Sequence, residues 1–199
     1  MTTLETPDKQ CIALLSVFDR LELHQIELVA TPNQASAALQ ALSGATALGF
    51  DTESKPTFAK NEVSTGPHLV QLSTAHKAWL FQLEDPACRH AVGVLLESAS
   101  IIKVGFGLGD DRRRIAHKLG VHARSVLDLN AVFSAKGYRK DMGVRGAVAV
   151  VFNRRFIKSK KASTSNWASP ELSQAQIVYA ANDAYAALRV FTAIGSPQM

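Results

Sequence analysis

The stretch KVGFGLGDD, residues 103–111, decides between two kinds of α/β fold. An apolar run enters three glycines, Gly105, Gly107 and Gly109, and then two aspartates. A dinucleotide-binding crossover follows its strand with G-x-G-x-x-G, the third glycine letting the next helix pack closely. Counted from Gly105, that third glycine falls on Asp110, and an acid facing a pyrophosphate is electrostatically wrong. The other reading is a strand end and a bend that present a carboxylate. Helical phase separates the two candidates: Asp111 shares a face with Ile115 and Leu119, whereas Asp110 shares its face with Arg113, Arg114 and His117. Asp111 is therefore the expected inward ligand and Asp110 the expected helix N-cap.

Around this stretch the hydrophobic rhythm predicts a single α/β domain with a mixed sheet. KQCIALLSVF (9–18) reads as a short helix, HQIELVAT as a strand and TPNQASAALQALSG as a helix. In that helix Thr31 is the expected N-cap, Pro32 the first helical residue and Gly44 the stop. Strands at 45–53, 68–74 and 77–83, joined by short polar links, predict an antiparallel meander. Beyond them PACRHAVGVLLES is helical, IIKVGF a strand, DDRRRIAHKLG helical and SVLDL a short strand. This alternation predicts crossovers that feed parallel strands. Two further helices are expected at about 141–152 and 171–194.

The 199 residues suit one domain with a full core, and 47% of them are hydrophobic, as in a globular chain. Residues 1–25 read as an N-terminal helical extension and 26–195 as the functional domain. The two cysteines, Cys11 and Cys88, read as buried thiols in a reducing, cytoplasmic setting. No apolar run approaches a membrane span, and the acids in MTTLETPDKQ argue against an export signal. The net charge of +5 is compatible with a polyanionic partner. His68 and His76 have no zinc-like spacing and read as ordinary hydrogen-bonding histidines.

Two acidic features need explanation. Asp51 and Glu53 flank Thr52 at a strand end, so both carboxylates project to one side while Phe50 points to the other. Such crowding calls for protonation or a cation, although a polar turn would present the same letters. In QAQIVYAANDAYAALRVF, Asp183 lies mid-helix among apolar residues on nearly every side, with Tyr179 one turn earlier. A buried charge there needs a partner, which would be a cation or a hydrogen bond from a nearby loop.

Together GFDTE, VGFGLGDDRRRI and WASPELSQAQIVYAANDAYAAL resemble the three motifs of the DEDDy 3′→5′ exonucleases, in the Werner-exonuclease and ribonuclease-D-like branch. The likeness runs from about residue 26 to 191. It implies a ribonuclease-H-like fold with a mixed five-stranded sheet flanked by helices. By this resemblance Asp51, Glu53, Asp111 and Asp183 hold two divalent cations, Mg²⁺ or Mn²⁺, and Tyr179 orients the attacking water. The implied reaction is hydrolysis of single-stranded or 3′-ended DNA or RNA to nucleoside 5′-monophosphates, without a nicotinamide or flavin cofactor and without a membrane. The tandem aspartate leaves the second motif's alignment open by one residue, and Ile115 four residues on favours Asp111.

Thr52, Phe58, Phe106 and Trp167 are the expected substrate-binding residues, with Phe58 and Phe106 able to stack on the terminal base. RRFIKSKK (154–161) and RRR (112–114) would meet phosphates. A nucleic-acid-binding scaffold of the same fold with little turnover remains the alternative.

Overall fold

The computed structural model describes residues 4–57, 63–138 and 141–195. Six strands form one mixed sheet: β1 (Ile26–Val29), β2 (Ala47–Glu53), β3 (Leu69–Ser73), β4 (Ala78–Gln82), β5 (Ile102–Gly105) and β6 (Val126–Asp128). Their order is β1-β4-β3-β2-β5-β6. The expected meander is present as the antiparallel pairs β2/β3 and β3/β4, and β5 and β6 add in parallel. The sheet has six strands, one in each segment that the sequence predicts as a strand, where the family resemblance implies five. β1, within the segment HQIELVAT read as a strand, pairs in parallel with β4 and extends the far edge. Its segment IELV suits an edge, since only Val29 is fully buried.

Helices cover both faces, as a sheet buried on both sides requires. On one side α2 (Pro32–Leu42), α3 (Pro86–Glu97) and α4 (Gly109–Leu119) pack on Leu48, Phe50, Val70, Leu72, Trp79 and Phe81. Thr31 caps α2 through Gln34 N–H, with Pro32 in the first turn, as the sequence predicts. That helix ends on Ser43, one residue before Gly44. On the other side α5 (Leu129–Ala135), α6 (Gly143–Phe152) and α8 (Gln174–Ile194) pack on Leu69, Ala78, Leu80 and Val104. The short α7 (Lys160–Ser163) leads toward α8. Alternation along β2 sends Leu48 and Phe50 to the first face and Gly49, Asp51 and Glu53 to the second.

The long α8 lies across the centre of the sheet because Gly49 admits it. A Cβ at Gly49 would overlap the Ala184 carbonyl, so only glycine permits this approach. The helix start is fixed by a capping box, in which Ser173 accepts from Gln176 N–H and Gln176 accepts from Ser173 N–H. Gln176 also donates to the Asn166 carbonyl and so ties α8 to the loop before it.

The N-terminal helix α1 (Lys9–Leu14) stops four residues before the expected end at 18. From Ser16 the chain turns extended: Arg155 N–H donates to Ser16 O (2.8 Å) and Phe18 N–H to Arg155 O (3.0 Å). Phe18 and Leu21 then enter the core. Asn182 holds this segment, accepting from Leu21 N–H (2.8 Å) and donating to Leu21 O (3.1 Å). Cys88 is buried as expected, whereas Cys11 is exposed, because α1 buries none of its residues. Among the described residues no helix is long and apolar enough to cross a membrane.

Candidate active site

The C-terminal end of β2 brings Asp51 and Glu53 under α8, where Asp183 faces down. One carboxylate oxygen from each lies within 4.8 Å of the others. Asp183 is 5% exposed, and among the described residues its Oδ1 has no hydrogen-bond partner. Its Oδ2 makes an ion pair with Lys158 Nζ at 2.7 Å. Asp51, Asp183 and Lys158 line one cleft of about 270 Å³ with Phe106, Gly107, Asn130, Asp141 and Gly143.

Asp111 arrives from the opposite face. It stands in the first turn of α4, whose Ile115 is wholly buried, and it reaches the strand end, where Thr52 Oγ1 donates to its Oδ1. It lies outside the three-oxygen group formed by Asp51, Glu53 and Asp183. Asp110 points outward and pairs with Arg113. It is not the N-cap expected from the sequence, since the cap position is Leu108 and Asp110 is already inside the helix. The bend is held instead by Asp128 at the end of β6, which accepts from Gly107 N–H (3.1 Å) and Leu108 N–H (2.9 Å). A phosphate-cradling loop would present those same donors to its ligand. Here a carboxylate takes them. Gly105 serves close packing, because a Cβ there would overlap the Phe50 carbonyl and Leu108, and Gly107 has φ +71°.

Tyr179 is buried, 8% exposed, one turn before Asp183. Trp167 is 2% exposed, with its ring centre 6.0 Å from that of Tyr179. A tryptophan so enclosed presents no face to a strand, so its contact is with Tyr179. Phe106 is half-buried and lines the cleft, and Phe58 falls outside the described residues. His68 is a hydrogen-bonding residue, accepting from Lys55 N–H at 3.1 Å.

Sequence reasoning missed two residues of the site. Asp128 sat inside the predicted strand SVLDL, and Lys158 was one of several cations in RRFIKSKK. For Asp128 the signal was an acid at the last position of a strand, directly before a helix that it caps.

Burial pushes all four carboxyls up. For Asp51 the Asp183 and Asp111 charges add to it, and for Glu53, pushed up to about 9, the Asp51 and Asp183 charges do. Asp111 is raised by burial against the opposing Thr52 hydrogen bond, and Asp183 by burial against the opposing Lys158 charge. Tyr179 is raised by burial and by Asp183, so its hydroxyl keeps its proton through the physiological range. Exposed Asp110 moves the other way, lowered by Arg113.

These shifts set a sign for stability. A group whose folded pKa lies above its unfolded value stabilises fully below the unfolded pKa and loses that contribution as pH rises through the folded one. For Glu53 the window runs from 4.5 to about 9. In EDTA the melting temperature is therefore expected to fall between pH 5 and pH 9, by at least about 5 °C. Added Mn²⁺ should raise it more at pH 8 than at pH 6, which a calorimetric pH series would measure.

A mixed sheet of ribonuclease-H-like topology with an acidic cleft over its central strand defines a class of nucleic-acid hydrolases. A family model described as 3′-5′ exonuclease matches residues 26–196, and the chain belongs to this DEDD-type 3′-5′ exonuclease family. It is similar to the bifunctional 3′-5′ exonuclease/ATP-dependent helicase WRN of Mus musculus, with 28% identity over 78% of this chain and 11% of that protein. It is also similar to a 3′-5′ exonuclease of Arabidopsis thaliana, with 26% identity over 75% and 52% of the two chains. The chain thus spans about half or less of the length of these relatives. Among solved structures, the Aedes aegypti Nibbler EXO domain superposes with a TM-score of 0.74 at 21% identity, covering 88% and 89% of the two chains. Ribonuclease D of Trypanosoma brucei in complex with RNA U12 superposes with a TM-score of 0.76 at 22% identity, covering 87% and 63%.

Proposed function

We propose that the chain removes nucleotides one at a time from the 3′ end of a DNA or RNA strand and releases nucleoside 5′-monophosphates. The observation that carries this reading is the group of carboxylate oxygens from Asp51, Glu53 and Asp183, within 4.8 Å of one another and beside a cleft. Carboxylates so close repel unless protonated or bridged by cations. The all-oxygen donor set and the unpartnered Asp183 Oδ1 fit Mg²⁺ or Mn²⁺. Asp51, Glu53, Asp183 and Asp111 would hold two such ions, which supply an activated water and charge stabilisation for an in-line displacement at phosphorus.

The chain's own groups do the rest. Tyr179, protonated at working pH, orients the attacking water through its hydroxyl, and Trp167 fixes the tyrosine ring. Thr52 holds Asp111 by donating to Oδ1. Phe106, on the cleft wall, stacks against the terminal nucleoside. The basic stretches 154–161 and 112–114 add sequence-independent attraction for the strand.

The Asp110/Asp111 pair tests this assignment. Asp111→Ala is expected to lower nucleotide release by about 10²-fold or more, and Asp110→Ala to change it less than about threefold. Chromatography of the released nucleotide identifies the product. Equal losses, or a 3′-monophosphate product, would overturn the reading.

A further inference from the structure

Lys158 stands out among the charged groups near the site. Its ammonium is 2.7 Å from Asp183 Oδ2 and 5.4 Å from the centre of the Tyr179 ring. The side chain is 33% exposed, so it reaches the cleft from the open side. It is also close enough to Asp51 and Glu53 for their charges to act on it. The Lys158 ammonium thus sits among the three carboxylates that the proposed function gives to divalent ions.

The loop that carries it is built with care. Its backbone is bracketed by the Ser16–Arg155–Phe18 bridge, by the buried Phe156 and by Arg145, which donates to the Lys158 carbonyl at 2.7 Å. Ser159 follows at once as the cap of α7. Much of this anchoring comes from residues 16–21, which precede the stretch matched by the family model. Asn182 fixes the same segment to α8 next to Asp183 itself. The N-terminal segment and the acidic helix therefore hold the lysine loop between them.

We propose that Lys158 is a tethered counter-cation, which neutralises Asp183 in the metal-free protein and must be displaced when a divalent ion binds. A divalent ion on Asp183 and an ammonium 2.7 Å from its Oδ2 would repel across one carboxylate, so lysine and metal compete for Asp183. The displaced ammonium stays in the same cleft on its four-carbon stem, where it meets the substrate's phosphate as a point charge. Lys158 thus has two states, and metal loading sets the choice between them. This rests on the proposed metal-dependent function of the site.

The test measures Mn²⁺ binding by titration calorimetry without substrate, on wild type, Lys158→Met and Lys158→Arg. Methionine keeps most of the side-chain volume without the charge, and arginine keeps the charge. Lys158→Met is expected to bind Mn²⁺ about five- to tenfold more tightly, as the loss of a competing ligand requires. Lys158→Arg should stay within about twofold of wild type. At saturating Mn²⁺, Lys158→Met should also raise KM for a labelled oligonucleotide more than it lowers kcat. Unchanged or weaker Mn²⁺ binding by a folded Lys158→Met protein would overturn the proposal. So would equal tightening in Lys158→Arg, which keeps the charge. If wild type binds no Mn²⁺, the metal-dependent reading of the site fails first, and the proposal falls with it.

Discussion

Asp183→Asn is expected to lower nucleotide release by roughly 10³-fold and to abolish the rise in melting temperature that Mn²⁺ gives the wild type. The substitution keeps size and shape, so the helix has no reason to move. It removes the carboxylate whose Oδ1 is unpartnered among the described residues and whose Oδ2 is paired with Lys158. A buried carboxylate with one oxygen left unpartnered costs the fold stability by itself. Its environment makes sense when it binds something. Circular dichroism and calorimetry with and without Mn²⁺ would separate a folded, metal-blind protein from an unfolded one. A variant that keeps both turnover and its metal-induced stabilisation would remove Asp183 from the site.

Gly49→Val is the second large effect, and it acts on the scaffold. Any Cβ at this position overlaps the Ala184 carbonyl and comes within 3.2 Å of the Leu188 Cβ. Backbone cannot yield as a flexible side chain can, so α8 must lift from β2 and carry Asp183 and Tyr179 with it. The expected cost is about 3 kcal/mol or more, read as a lower urea midpoint. Gly109→Ala is the matched control: a Cβ there meets nothing within 4 Å, in the first turn of α4, so the midpoint should hardly change.

The parts of this molecule legible in its sequence were those with a local cause. Thr31 and Pro32 mark the start of α2, and the alternation in GFDTE places Asp51 and Glu53 on one face. Helical phase told Asp111 from Asp110 because Ile115, one turn on, is buried while Arg113 is at the surface. What stayed hidden depends on partners distant in the chain. Asp110 looked like a cap, but the bend before α4 is held by Asp128 from a neighbouring strand, pairing across 20 residues. The early end of α1 follows from a bridge between Ser16–Phe18 and Arg155, which no window of local sequence contains. Trp167 read as a substrate contact because an aromatic residue near a motif gives no sign of its burial. Lys158 was one cation among several until the fold placed it against Asp183.

The most direct test of the proposed activity follows 5′-labelled single- and double-stranded DNA and RNA through incubation with the protein in Mg²⁺, Mn²⁺ or EDTA. The expected result is a ladder shortening from the 3′ end in either metal and intact strands in EDTA. Binding without shortening, or cleavage that persists in EDTA, would contradict the account.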